Sequence, residues 1–163
     1  MAVVVWIVEG TWPACVDAAR AHATADTGIV LLHVTPADVP GAAHGAFAGL
    51  LGRGHPERDP GTRVEHLAAA SARDLLQAAA DRLGLPCTRV ERTGRVEREV
   101  VAEAEGCELL ILARDGDRTH LGPHSLGPAG RFVVDHAPCP VLLVWPEAPP
   151  VPPAMPPPPP PRP

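Results

Sequence analysis

The hydrophobic positions of this chain fall into runs of two kinds. Val3-Val4-Val5-Trp6-Ile7-Val8, Ile29-Val30-Leu31-Leu32-His33-Val34, Leu109-Leu110-Ile111-Leu112 and Val141-Leu142-Leu143-Val144-Trp145 are nearly continuous apolar stretches. That pattern predicts strands covered on both faces of a parallel sheet. Thr88-Arg89-Val90-Glu91-Arg92 alternates instead and predicts an exposed or edge strand. Between these runs apolar residues recur at helical spacing. An Ala-rich helix is predicted from Pro13 to Ala25, with Pro13 in its first turn and Gly28 closing it. A longer one is predicted from Arg63 to Leu83, with Val64, Leu67, Ala68, Ser71, Leu75, Ala78, Ala79 and Leu83 on its apolar face. Val96 to Glu105 and Ala129 to His136 read as short helices, the last terminated by Pro138.

The resulting order is β-α-β-α-β-α-β-α-β. Strict alternation with right-handed crossovers predicts an α/β fold, a five-stranded parallel, doubly wound, Rossmann-like sheet with helices on both faces. Ligands of such sheets sit beyond the carboxyl ends of the strands, which directs attention to the loops Glu9–Pro13 and Ala113–Gly127. The segment from Ala37 to Arg63 is rich in Gly, Pro and His around one apolar island, Phe47 to Leu51. Its length is that of a lid or mobile loop. From Pro146 the chain becomes almost pure proline, which makes neither ladder nor helix hydrogen bonds. Residues 1–145 are therefore expected to form one domain and residues 146–163 a disordered proline-rich tail. That tail reads either as a polyproline-II ligand for an aromatic-grooved partner or as a low-complexity extension.

Composition narrows the function. A chain of 163 residues has room for one core, and with 45% hydrophobic but 3% aromatic residues that core is aliphatic. The net charge of −5, with both signs interspersed, argues against nucleic acid as a partner. Cys15, Cys87, Cys107 and Cys139 form no Cys-x-x-Cys pair, so they read as buried thiols in a reducing cytoplasm rather than as a redox or zinc motif. Met1 to Val8 is too short to span a bilayer and lacks a basic leader, so no membrane association is expected. No nucleophile elbow, Walker loop or zinc-protease helix is spelled out, and the chain is not expected to be an enzyme. His120 and His124 read as solvated loop residues, and His33 as a core or site-edge histidine. Asp115 and Asp117 are either turn formers or ligands for Mg²⁺ on a triphosphate.

Several segments carry a family likeness. His136-Ala137-Pro138-Cys139-Pro140-Val141 closely resembles the run ahead of the final strand in universal stress proteins. Val8-Glu9-Gly10-Thr11 resembles the turn after their first strand, and Leu32-His33-Val34 their second strand. The likeness covers residues 1 to about 145 and implies a cytoplasmic, non-catalytic stress-response protein working as a homodimer, for which the apolar last strand, Val141 to Trp145, is the expected pairing edge. It also implies an adenine-nucleotide site, for ATP or AMP, at Glu9, Gly10, Thr11, Val34, Ala113, Asp115, Gly116, Gly127, Pro128, Ala129 and Gly130. Slow nucleotide hydrolysis stays open. ATP-binding members resemble one another in a Gly-x-x-Gly, nine-residue gap, Gly-Ser/Thr pattern, and here that pattern is degraded. Ala113 stands at the first glycine, the gap between Gly116 and Gly127 is one residue longer, and Pro128 replaces the Ser/Thr. Ala113 brings a Cβ and Pro128 offers neither N–H nor hydroxyl. The alternative is a ligand-free dimeric interaction module with a decayed motif, in which Gly116 and Gly127 serve only turns.

Overall fold

The computed structural model describes residues 2–38 and 60–152. Five strands, β1 (Ala2–Trp6), β2 (Gly28–Pro36), β3 (Cys87–Gly94), β4 (Leu109–Ala113) and β5 (Val141–Val144), form one sheet in the order β3-β2-β1-β4-β5. Every pairing is parallel, with Trp6 beside Leu32, Val5 beside Ile111 and Leu110 beside Val141. Three of the four unbroken apolar runs became the interior strands β1, β2 and β4, where cover on both faces calls for apolar residues at consecutive positions, whereas the fourth, at Val141 to Trp145, fell at an edge of the sheet and not between neighbours. The alternating run became the edge strand β3, exposed at four of its eight positions. β5 is the other edge, and all four of its residues are half-buried.

Among the described residues four α-helices cover the two faces: α1 (Trp12–His22), α2 (Pro60–Leu83), α3 (Val96–Glu103) and α4 (Pro128–His136). α1 and α2 pack Cys15, Val16, Leu75, Ala79 and Leu83 onto Val3, Val5, Leu31 and Ile111. α3 and α4 bring Val100 and Val133 onto Val4, Leu32, Leu110 and Leu112 on the other face. Leu110, Ile111 and Leu112 are each fully buried, and burying such a side chain contributes about 1.5–3 kcal/mol. Among the described residues no helix is long and apolar enough to cross a membrane.

Four expectations need correction. Gly28 does not close α1; the helix stops at His22, Ala23 turns extended, and a Thr24–Thr27 turn leads to Gly28 as the first residue of β2. The apolar face of α2 is rotated, for Leu67 is 71% exposed and Ser71 and Ala78 face outward, whereas Ala72, Leu75, Leu76, Ala79 and Leu83 are buried. Alanines occupy both candidate faces, so periodicity alone could not choose between them. Only Cys15 is buried, while Cys87, Cys107 and Cys139 are half-buried near strand ends. Trp145 lies just past the last strand, because pairing with β4 ends at Ala113 beside Val144. Of the expectations for the Ala37–Arg63 loop, the part at 39–59 lies outside the described residues, as does the polyproline run at 153–163.

Candidate functional site

The strand order reverses between β1 and β4, so the chain leaves their carboxyl ends in opposite directions, and ligands of doubly wound sheets bind at that end. After β1 the chain turns sharply at Val8-Glu9-Gly10-Thr11. The N–H groups of Thr11 and Trp12 donate to the Val8 carbonyl at 3.2 and 3.0 Å, and Gly10 takes the left-handed conformation with φ 81°. Thr11 is buried and its hydroxyl donates to the same carbonyl at 3.4 Å. On β2, His33 Nδ1 stands 2.9 Å from the Ile7 carbonyl. A carbonyl only accepts, so Nδ1 donates there. Val34 is buried on the α3/α4 face.

Beyond β4 the loop folds back on itself. Gly116 N–H donates to the Ser125 carbonyl at 2.9 Å and Asp117 N–H to the His124 carbonyl at 2.8 Å. A Cβ on Gly116 would collide with the His124 carbonyl oxygen, so this approach of two backbones requires glycine. Ser125 is fully buried in a 3₁₀ turn, donates from Oγ to the Gly122 carbonyl at 2.6 Å and accepts from the Arg114 guanidinium. That guanidinium lies 4.7 Å from the centroid of the Trp145 ring, a cation–π contact. Arg118 pairs with Glu147 at 2.7 Å, fastening the residues after β5 to the same loop.

The loop ends at the amino terminus of α4. Gly127, extended, precedes the helix, and Pro128 opens it without an N–H. The Gly127 N–H donates to Asp115 Oδ1 at 2.7 Å. A Cβ at Gly127 would lie 3.2 Å from the Asp115 carboxylate and one at Gly130 only 2.6 Å, so the carboxylate rests across two glycines over the first turn. First-turn N–H groups have no carbonyl four residues earlier within the helix, and together they carry partial positive charge.

Asp115 and Gly116 thus meet Gly127 and Gly130 beyond the carboxyl end of β4, where Ala113 ends the strand, and β1, which leads to the Gly10-Thr11 turn, is the neighbouring strand. Glu9 is exposed and, with Trp12, Leu67 and Asp74, lines a shallow groove of about 510 Å³ between α1 and α2. Neither carboxylate suggested as a magnesium ligand is free. Asp115 Oδ1 accepts from the Gly127 N–H just ahead of α4, and Asp117 Oδ1 accepts from the Thr119 hydroxyl and N–H at 2.6 and 2.9 Å. Those bonds, the hydroxyl's first, hold the Asp117 carboxyl below the usual carboxylate range. Among the described residues no group of three or more His, Cys, Asp or Glu is placed to hold a metal. His120 and His124 are exposed. The sequence reading overlooked Arg114, Ser125 and Trp145. The one available signal was the longer gap before Gly127, which places a serine two residues ahead of that glycine instead of after it.

A parallel, doubly wound sheet with a Gly-rich loop at its switch point defines the class: an α/β module with the adenine-nucleotide alpha-hydrolase-like fold. The universal stress protein family model matches residues 9–144, and the chain belongs to that family. Among solved structures it is similar to the hypothetical protein MJ0577, with 18% identity, a TM-score of 0.66 and coverage of 88% of this chain and 94% of that one. Universal stress protein UspA from Lactobacillus plantarum matches with 19% identity, a TM-score of 0.59 and coverage of 88% and 97%. A universal stress protein solved in complex with cAMP matches with 15% identity, a TM-score of 0.58 and coverage of 90% and 98%. At these identities the likeness establishes the fold. No curated protein sequence matches the chain.

Proposed function

We propose that this chain is a non-catalytic, cytoplasmic stress-response protein that works as a homodimer and keeps its nucleotide crevice closed to ATP and AMP. One observation carries the reading: the Asp115 carboxylate accepts from the Gly127 N–H at 2.7 Å, at the helix end where the family resemblance puts nucleotide phosphate. Ala113 and Pro128 act in the same direction, the first by adding a Cβ and the second by removing an N–H. Calorimetry on the full chain is the test. No heat of binding is expected up to millimolar ATP or AMP, with or without Mg²⁺, and saturable binding in the micromolar range would overturn the closed crevice.

A second reading, in which an adenine nucleotide occupies the crevice, has support of its own. The family is shown, a structural neighbour was solved with cAMP, and the α4 terminus here already accepts an anion. It predicts the opposite calorimetric result. Dimerisation is supported by β5, an edge strand paired only with β4 and apolar at all four positions. Such edges commonly pair across a two-fold axis. Light scattering should give a dimer unaffected by nucleotide, and a monomer at every concentration would refute it.

A further inference from the structure

Resting on the closed-crevice reading, we infer that Asp115 is the specificity-determining residue of the site: its carboxylate acts as an internal anion that excludes phosphate by both charge and position. Three features of the chain converge on it. Gly116 allows the loop to double back, which brings residue 115 within reach of α4. Gly127 and Gly130 have no side chains, and the carboxylate lies against both, 3.2 Å from where a Cβ at Gly127 would sit and 2.6 Å from where one at Gly130 would. Pro128 gives the first turn one N–H fewer, so the donor that Asp115 takes at Gly127 is a large share of what the terminus offers an anion.

Asp115 forms no ion pair among the described residues. Arg114, the adjacent residue, directs its guanidinium to Ser125 Oγ and the Trp145 ring. A phosphate arriving at α4 would compete for the Gly127 N–H and stand within a few ångströms of a like charge in a partly buried setting. Two like charges at that separation repel strongly enough to lower affinity by more than tenfold at an effective dielectric of about 20. A neutral adenosine moiety carries no such penalty. Asp115 therefore discriminates against the phosphate rather than against the nucleoside.

The experiment titrates the full-length wild type, Asp115→Asn and Asp115→Gly with adenosine, AMP and ATP by calorimetry, each protein first shown to melt cooperatively. Asn keeps an oxygen for the Gly127 N–H and removes only the charge, which guards against a variant that fails to fold. Gly removes the carboxylate and its bond from the Gly127 N–H and clears the seat. The expected result is a silent wild type and a gain of about tenfold or more for AMP and ATP in one or both variants, without an equal gain for adenosine. Folded variants as silent as the wild type would overturn the role of Asp115 while leaving the closed-crevice reading intact. An equal gain for adenosine would overturn it too, since bulk rather than charge would then be the barrier. A wild type that binds ATP as tightly as both variants would overturn the inference and the reading together. A wild type that binds, but about tenfold more weakly than the variants, would sink only the reading.

Discussion

Replacing Gly116 by Ala tests whether the loop after β4 is closed as described. The new methyl would collide with the His124 carbonyl oxygen and stand 2.8 Å from the Leu126 carbonyl carbon and 2.9 Å from the Gly127 nitrogen. All three are backbone atoms, so no side-chain rotation relieves the clash and the two passes of the chain must separate. Overpacking of this kind costs about 1–3 kcal/mol. Separation also weakens the Gly116-to-Ser125 and Asp117-to-His124 hydrogen bonds, each worth about 1 kcal/mol net. The combined expectation is a loss of about 2–4 kcal/mol. Gly116 is not among the glycines with positive φ, so the effect is steric. Gly10 provides the opposite control, with φ 81° and nothing within 4 Å of where an alanine methyl would sit. Ala there costs about 1–2 kcal/mol through left-handed strain alone. Equilibrium urea unfolding of the two variants measures both. If Gly116→Ala stays within about 0.5 kcal/mol of wild type, the range of an ordinary surface change, the closed loop is refuted.

Burial pushes the Cys15 thiol up to about 12. A thiol whose folded pKa is raised contributes stability below its unfolded value near 8.5 that is lost as pH rises toward the folded value. Cys15→Ala should therefore flatten the decline of urea midpoints between pH 8.5 and 10.5, and an unchanged slope would count against it. In a native thiol-labelling assay at pH 8, Cys15 should react only on unfolding, after Cys87, Cys107 and Cys139. Asp17 and Arg82 join α1 to α2 through two hydrogen bonds of 2.7 and 2.9 Å. The Arg82 hydrogen bond is the chief cause of the lowered Asp17 pKa. A depressed carboxyl contributes stability above its unfolded pKa of about 3.9 and loses it as pH falls through the folded value. The gap in melting temperature between wild type and Asp17→Asn should thus be small, because the pair is exposed, and should close below pH 4 or in 0.5 M salt. Trp145→Leu removes the ring over Arg114 and should cost about 0.5–2 kcal/mol in urea unfolding, a loss that Arg114→Met should abolish in a double-mutant cycle.

Much of this architecture was legible in the order of residues. Consecutive apolar positions at Val3 to Val8 and Leu109 to Leu112 pointed to strands covered by helices on both faces and hence to parallel pairing, although the same pattern at Val141 to Trp145 fell on an edge, so central placement was not decided by it. Alternation at Thr88 to Arg92 marked an edge in the same way. The positions of Gly10, Gly116 and Gly127 were also readable, because a turn or a close backbone approach leaves few other choices.

What the order of residues could not supply was any relation between groups distant along the chain. The face α2 buries depended on the surface it met, since alanines made two stripes equally apolar and only contact with Val5 and Leu31 chose between them. Asp115 looked like one more turn carboxylate or a magnesium ligand, and nothing local distinguished it. Twelve residues separate it from Gly127, and its role arises because the loop between them doubles back and sets a negative group against unpaired helix donors. Propensity and periodicity act over a few residues, whereas the choice between a seat for phosphate and a seat already filled is made by through-space electrostatics in the folded state.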